Sequence, residues 1–164
     1  MRWGDAIGQR GESIFYVIIT RLYGRSGPLF RPQFLGDKWP TVDFIVELTN
    51  CPGRITPYFF AQVKTTSQGY TLKRRRLKVK VSKADAERLS SYPAPTYIIG
   101  IDEIEEVGYI ISVEGEHDRG LSSLSTQFPI GKEVQDLLWR EVTDFWIGVG
   151  TSGKTSRFVD SDWR

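Results

Sequence analysis

Between Asp5 and Tyr23 the apolar residues Ile7, Ile14, Phe15, Ile18, Ile19 and Leu22 recur at spacings of three, four and seven. That stripe predicts an amphipathic helix over 5–23, with Glu12 in its interior. Asp5 stands where a helix can be capped, and Gly24 where one ordinarily stops. Gly24 to Pro40 carries three glycines and three prolines and reads as loop, with a short strand around Phe30 to Leu35. From Thr41 to Leu48 the period drops to two. Val42, Phe44, Val46 and Leu48 share one face, and Asp43, Ile45 and Glu47 share the other. Asn50-Cys51-Pro52-Gly53 is a turn signal, and Tyr58 to Thr65 returns as the second strand. A fold-back around Gly53-Arg54 sets Asp43 opposite roughly Gln62 to Lys64, so three polar side chains converge on one face of a hairpin.

Further along, Ser82 opens a helix that runs to about Ser91, with Asp85 three residues on in a capping-box position. Pro93-Ala94-Pro95 ends it. The nearly all-apolar TYIIGI from Thr96 to Ile101 suits a buried strand, and Val107 to Val113 reads as another. Gly115 to Gln127 is loop-like. Val134, Leu137, Leu138, Val142 and Phe145 then recur at helical spacing from Lys132 to about Ile147. The fold class expected is therefore α/β in the broad sense (α+β): a mixed sheet flanked by helices, in the order α-β-β-β-α-β plus a C-terminal strand and helix. One domain over 1–149 and a flexible polar tail over 150–164 are expected.

Composition narrows the class without naming it. The chain has 164 residues, 40% hydrophobic and 26% charged, ordinary values for a soluble domain long enough to bury a core unaided. No run approaches the ~18 apolar residues of a membrane span, so no membrane partner is expected. MRWGDAIGQRGE lacks an apolar signal core, and a cytoplasmic location is the expectation. A single cysteine, Cys51, excludes an internal disulfide and a cysteine-built zinc cage. A net charge of +2 says little, but its distribution says more.

Phosphodiester cleavage needs a divalent cation, an activated water and a stabilised leaving oxygen. Magnesium takes oxygen ligands and keeps several waters, so one carboxylate plus neutral oxygens can hold it when phosphate completes the shell. Asp43 offers the carboxylate, and the Gln62 side-chain carbonyl and the Val63 backbone carbonyl offer neutral oxygens. Lys64, on the same face as Gln62, is placed to orient water or offset phosphate charge. The competing structural reading is a cross-strand charge pair worth a few tenths of a kcal/mol. Glu47 shares Asp43's face but lies about 13 Å along the strand, too far for a common ligand.

Gly11-Glu12 on a first helix, Thr41-Val42-Asp43-Phe44, then Gln62-Val63-Lys64-Thr65-Thr66 nineteen positions after Asp43, and Tyr92-Pro93-Ala94-Pro95 running into TYIIGID resemble the PD-(D/E)XK nuclease superfamily. The resemblance is closest to a bacterial branch of unknown function with a D…QxK motif. It covers about residues 5–115. It implies a restriction-endonuclease-like core and a magnesium- or manganese-dependent deoxyribonuclease, acting in restriction, defence or repair. In the implied site, Asp43, Gln62, Lys64 and Glu12 are catalytic, and Asp43, Gln62, Val63 and Glu12 hold metal. Because a duplex has two strands and this chain offers one site, a homodimer or a partner nuclease subunit is expected. Two departures are visible. Gln62 replaces the usual acid, as in Mrr-like restriction enzymes, and weakens metal affinity. Val42 replaces the proline of the motif's name. The alternative is a catalytically inactive domain of this type that binds nucleic acid or a partner protein.

Lys73, Arg74, Arg75, Arg76, Lys78 and Lys80 place six cations in eight positions, a cluster that fits backbone contacts to nucleic acid, with DNA the expected polymer. A solvated sheet edge guarded by lysines is the competing reading. Gly148 to Thr155 matches G-x(4)-G-K-[ST], with Asp144 to Ile147 in the place of the preceding strand, but the phosphate-binding loop must open a helix and later meet an aspartate for magnesium within a larger parallel sheet, and only nine residues follow. It is read as a chance match. His117, the only histidine, has no second histidine or cysteine for zinc and is read as a loop residue.

Overall fold

The computed structural model describes residues 2–73, 75–148 and 155–163. Within them the elements run α1 (Trp3–Ile19), β1 (Phe30–Phe34), a 3-10 turn (Gly36–Lys38), β2 (Phe44–Leu48), β3 (Tyr58–Thr66), α2 (Lys83–Ser90), β4 (Thr96–Asp102), β5 (Val107–Ser112) and α3 (Lys132–Ile147). This is an α+β chain in the element order the patterning predicts.

The five strands form one open mixed sheet in the order β1-β2-β3-β4-β5. Only β3 and β4 are parallel; the other neighbours are antiparallel. A parallel pair cannot be joined by a tight turn, and α2 lies within the crossover that joins this one. Its start is fixed by Ser82, whose hydroxyl accepts from the Asp85 N–H at 3.0 Å. All seven residues of β4 are buried, the burial that its unbroken apolar run anticipates.

Each face of the sheet has its own core. Phe15, Ile18 and Ile19 of α1 and Leu138 and Val142 of α3 meet Phe44, Phe59, Tyr97 and Ile99 on one side. Ala86 and Leu89 of α2 share the other side with Phe60, Ile98 and Ile111. There too lie Leu77, Val79, Val81, Leu121 and Leu124. Burying a side chain of this size stabilises by about 1.5–3 kcal/mol, so both faces contribute heavily.

Three boundaries move from their expected places. Helix α1 opens at Trp3, so Asp5 lies in its first turn and not at its cap. Helix α1 stops at Ile19, four residues before Tyr23, where the buried Gln135 amide caps its end by donating to the Ile18 carbonyl at 3.0 Å. Tyr23 and Gly24 then take positive φ (48° and 81°), and Leu22 is left 45% exposed, outside the apolar stripe. The first hairpin strand begins at Phe44 rather than Thr41, since Thr41 sits at φ 66° in left-handed backbone. The ladder still reaches Asp43: its N–H donates to the Ala61 carbonyl at 3.0 Å and its carbonyl accepts from Leu35 at 2.8 Å.

The C-terminal segment departs most from expectation. Residues 155–163 are not a loose polar tail. Phe158 is fully buried, its ring 5.8 Å from Tyr97 and 5.3 Å from Phe128, and its carbonyl accepts from the Ser112 N–H at 2.8 Å. Trp163 is 3% exposed and its indole donates to the Arg119 carbonyl at 3.1 Å. Two aromatic anchors in a stretch otherwise made mostly of threonine, serine and charge account for the difference. Among the described residues no helix is long and apolar enough to cross a membrane.

Candidate functional site

The hairpin register puts Phe44 opposite Ala61, which leaves Asp43 facing Gln62 one step on. The Asp43 carboxylate accepts a hydrogen bond from the Val63 N–H at 2.7 Å, so acid and amide strand are tied together at the point the sequence singles out. Burial raises the Asp43 pKa above the ordinary carboxylate range, against the opposing pull of the Val63 N–H and the Lys64 ammonium. Glu12 is also raised, first by burial and then by the negative charges of Asp43 and Asp37. The two acids from α1 and the hairpin therefore sense one another.

Gln62 is 5% exposed, and its side-chain oxygen is buried without a hydrogen-bond partner. An orphaned buried acceptor costs about 1–3 kcal/mol, so such an atom in a folded protein points to a donor or cation that completes it. Lys64 lies 3.7 Å from Asp85 on the first turn of α2, with about a third of each side chain exposed. This is a loose pair, able to release the ammonium. Asp85 as the holder of Lys64 and Asp37 as a neighbour of Glu12 escape sequence reading. Asp85 carries only a capping signal, and Asp37 belongs to a glycine- and proline-rich stretch without periodicity.

The donor set can be weighed against a divalent cation. Among the described residues no group of three or more His, Cys, Asp or Glu side chains is arranged to hold a metal. What is present is one buried carboxylate, a second carboxylate within its electrostatic reach and an unsatisfied amide oxygen. Hard oxygen donors of this kind suit magnesium or manganese and not a soft thiophilic metal.

The basic segment divides into parts. Leu77, Val79 and Val81 are buried and alternate with exposed Lys78 and Lys80. Bridges to Leu124 and Leu121 tie this ribbon to the loop that follows β5, and its buried side chains pack with Ile98 and Ile111 of the sheet. It lies on the Lys64 face: a β-carbon at Gly100, which pairs with Lys64, would stand 2.9 Å from a Leu77 methyl. Lys73 and Arg75 are exposed, and Arg74 lies outside the described residues. Arg76 is the exception. It grips Asp160 with two bonds (2.6 and 2.9 Å) and Ser123 with two more (2.8 and 3.0 Å), leaving its side chain 12% exposed. Arg76 is a structural tie and not a free phosphate contact.

The remaining motifs settle into the fold. Of the Gly148 to Thr155 match, residues 149–154 lie outside the described residues, but the preceding Asp144 to Ile147 is the end of α3 rather than a strand. His117 bonds the Val113 carbonyl at 3.0 Å and stacks on Trp163 at 3.7 Å. Glu47 pairs in register with Tyr58 and Arg31, away from the cluster. Beyond the notice of sequence, Tyr70 and Tyr109 share a hydroxyl contact at 2.8 Å, with Tyr109 opposite Gly100. Burial, then Tyr109 and Asp102, push the Tyr70 hydroxyl far above its usual range, so it stays protonated.

Fold and cluster together define an α+β domain whose open mixed sheet carries an acid, an amide and an amine at the mouth of one hairpin. No protein-family model, curated protein or solved structure matches the chain.

Proposed function

We propose that the chain is a divalent-cation-dependent endonuclease that hydrolyses phosphodiester bonds of DNA, built on a restriction-endonuclease-like core. One observation carries the reading. The buried Gln62 oxygen has no partner, and it stands in the strand whose next N–H holds a carboxylate that burial makes reluctant to ionise. Both features cost free energy in the free protein, and both costs vanish when a cation sits between the groups.

Asp43, the Gln62 side-chain carbonyl and the Val63 backbone carbonyl would hold magnesium or manganese, with Glu12 in support. The bound ion supplies charge neutralisation at phosphate and a lowered pKa for water. The protein's own residues do the rest. Val63 holds Asp43 in place through its N–H. Lys64, released from Asp85, donates hydrogen bonds to a phosphate oxygen and offsets the charge that builds as water attacks. Glu12, whose pKa burial and the Asp43 charge raise, holds a proton more tightly than an ordinary carboxylate and can accept one from water. Lys78 and Lys80 on the ribbon neutralise backbone phosphates beside the site.

Incubation of purified protein with supercoiled plasmid and magnesium or manganese tests this. Nicking that requires the ion and disappears in Asp43→Ala and Lys64→Ala is the expected result. Equal nicking by both variants and the parent rejects it.

A second reading is favoured by the absence, among the described residues, of a three-ligand His, Cys, Asp or Glu group. In it the domain binds DNA without cutting. Salt-sensitive binding with no ion-dependent cleavage, unaltered in Asp43→Asn, distinguishes it.

A further inference from the structure

Glu12 has a second neighbourhood. Beside it, between α1 and the first two strands, lies an open cavity of about 530 Å³, within the ~300–1,000 Å³ usual for small-ligand sites. One wall is α1. Gln9, Glu12, Ser13 and Tyr16 follow at helical spacing, so a single face of the helix lines it. The opposite wall is Phe34 of β1 and Phe44 of β2, rings 5.4 Å apart. Tyr16 is 49% and Phe34 58% exposed, so two large aromatic faces flank a cleft with an amide, a hydroxyl and a carboxyl along one edge.

That chemistry suits a flat heterocycle with a hydrogen-bonding rim. Rings stack on Tyr16 and Phe34, and Gln9 and Ser13 meet the polar edge. The cavity also adjoins the candidate cleavage site, because Glu12 lines it and Phe44 directly follows Asp43. A phosphate seated at Asp43 and Lys64 belongs to a nucleotide whose base must lie within one sugar's reach. A second copy of the chain is the less fitting occupant. Stable interfaces use roughly 20–30 residues a side, and seven residues line this cavity.

We propose that this cavity seats one unpaired nucleobase next to the cleaved phosphodiester. The substrate is then a strand with unpaired bases (single-stranded, flapped or frayed), since a base within continuous duplex is stacked and cannot enter without being flipped out. The inference rests on the nuclease reading for the identity of the polymer, but its test does not need cleavage.

An oligonucleotide carrying 2-aminopurine, single-stranded or annealed to its complement, is titrated with protein in EDTA. The expected result is fluorescence quenching and tighter binding for the single strand. Tyr16→Ala and Phe34→Ala, both at exposed positions and checked for native circular dichroism, each weaken that binding by about 5- to 150-fold. Phe34→Trp retains it. Equal affinity for duplex and single strand, or quenching indifferent to both alanine variants, overturns the proposal. So does a self-association in ultracentrifugation that Phe34→Ala abolishes, which assigns the face to a second copy. Quenching without ion-dependent cleavage of any substrate leaves this site standing and removes the nuclease reading. Duplex cleavage without quenching does the reverse, and no binding to either strand form removes both.

Discussion

Gly11 of α1 and Thr65 of β3 touch so closely that a methyl group on the glycine would overlap the threonine hydroxyl and stand 2.7 Å from its Cβ. Rotating Thr65 does not help, because the Cβ itself is in the way and Cγ2 stands at 2.8 Å. This contact brings the helix down on the strand one residue from both Glu12 and Lys64, and it is why a glycine precedes the helix acid. Gly11→Ala normally gains up to about 1 kcal/mol in a helix interior. Here the overlap costs about 1–3 kcal/mol and wins. Urea denaturation is expected to show net destabilisation of about 1–2 kcal/mol. Thr65→Ala in the same background restores only part of it, since the Cβ remains.

Asp43→Asn separates function from stability. The folded-state pKa of Asp43 is raised, so its ionised form destabilises the fold above that pKa, and the penalty fades as pH falls through it. Asparagine keeps an oxygen to accept the Val63 N–H and removes the charge. At neutral pH without added ion, thermal melts are expected to show a gain of about 0.5–2 kcal/mol, the usual range when a strained functional group is relaxed. The gain shrinks at acid pH, where the parent carboxyl is already protonated. A variant less stable than the parent at pH 7 rejects the burial argument.

How far all of this is legible in the sequence depends on the range of the interaction. The hairpin was readable because period two fixes which face Asp43, Gln62 and Lys64 share, and a turn signal fixes the register to within a residue or two. The α3 boundaries were readable from the spacing of Val134, Leu138 and Val142. The loss of Leu22 from α1 was not, since the cap from distant Gln135 and the positive φ at Tyr23 end the helix inside an apolar pattern that continues. Nor was the fate of Arg76. Its partner Asp160 stands 84 positions away in a stretch whose composition suggests a loose tail, and only the packing of Phe158 and Trp163 brings it there. The Tyr16 and Phe34 cavity is equally silent, because it depends on where β1 is laid beside α1.

Cation affinity should fall as the medium becomes acid. Asp43 and Glu12 both have raised pKa values, so protons compete with the ion at higher pH than for ordinary carboxylates. Melting-temperature shifts on adding magnesium or manganese chloride are expected to be larger at pH 8 than at pH 5. They are expected to be absent in Asp43→Asn and reduced in Gln62→Leu. Gln62→Leu also removes the orphaned oxygen, so it should match or exceed the parent's stability without ion. A shift that is the same at both pH values, or that survives in Asp43→Asn, places the ion elsewhere.

The basic segment offers the sharpest contrast, because neighbouring cations should answer two different assays. Arg76 is 12% and Asp160 1% exposed at the side chain, and their paired bonds take both guanidinium ends. Removing one partner of a buried pair leaves the other charge unmatched and costs about 3–5 kcal/mol. Arg76→Ala should therefore collapse urea resistance, and Asp160→Ala should do the same. Lys78 and Lys80 project from the ribbon into solvent, where truncation changes stability by less than about 0.5 kcal/mol. If they contact phosphates, each Lys→Ala lowers the slope of log affinity against log salt by about 0.9 on duplex and about 0.7 on single strands. Fluorescence anisotropy on a salt series reads that slope, and chemical denaturation reads the fold. Arg76→Ala that leaves stability intact but flattens the salt slope reverses the assignment. Lysine variants that leave the slope unchanged return the ribbon to a solvated sheet flank.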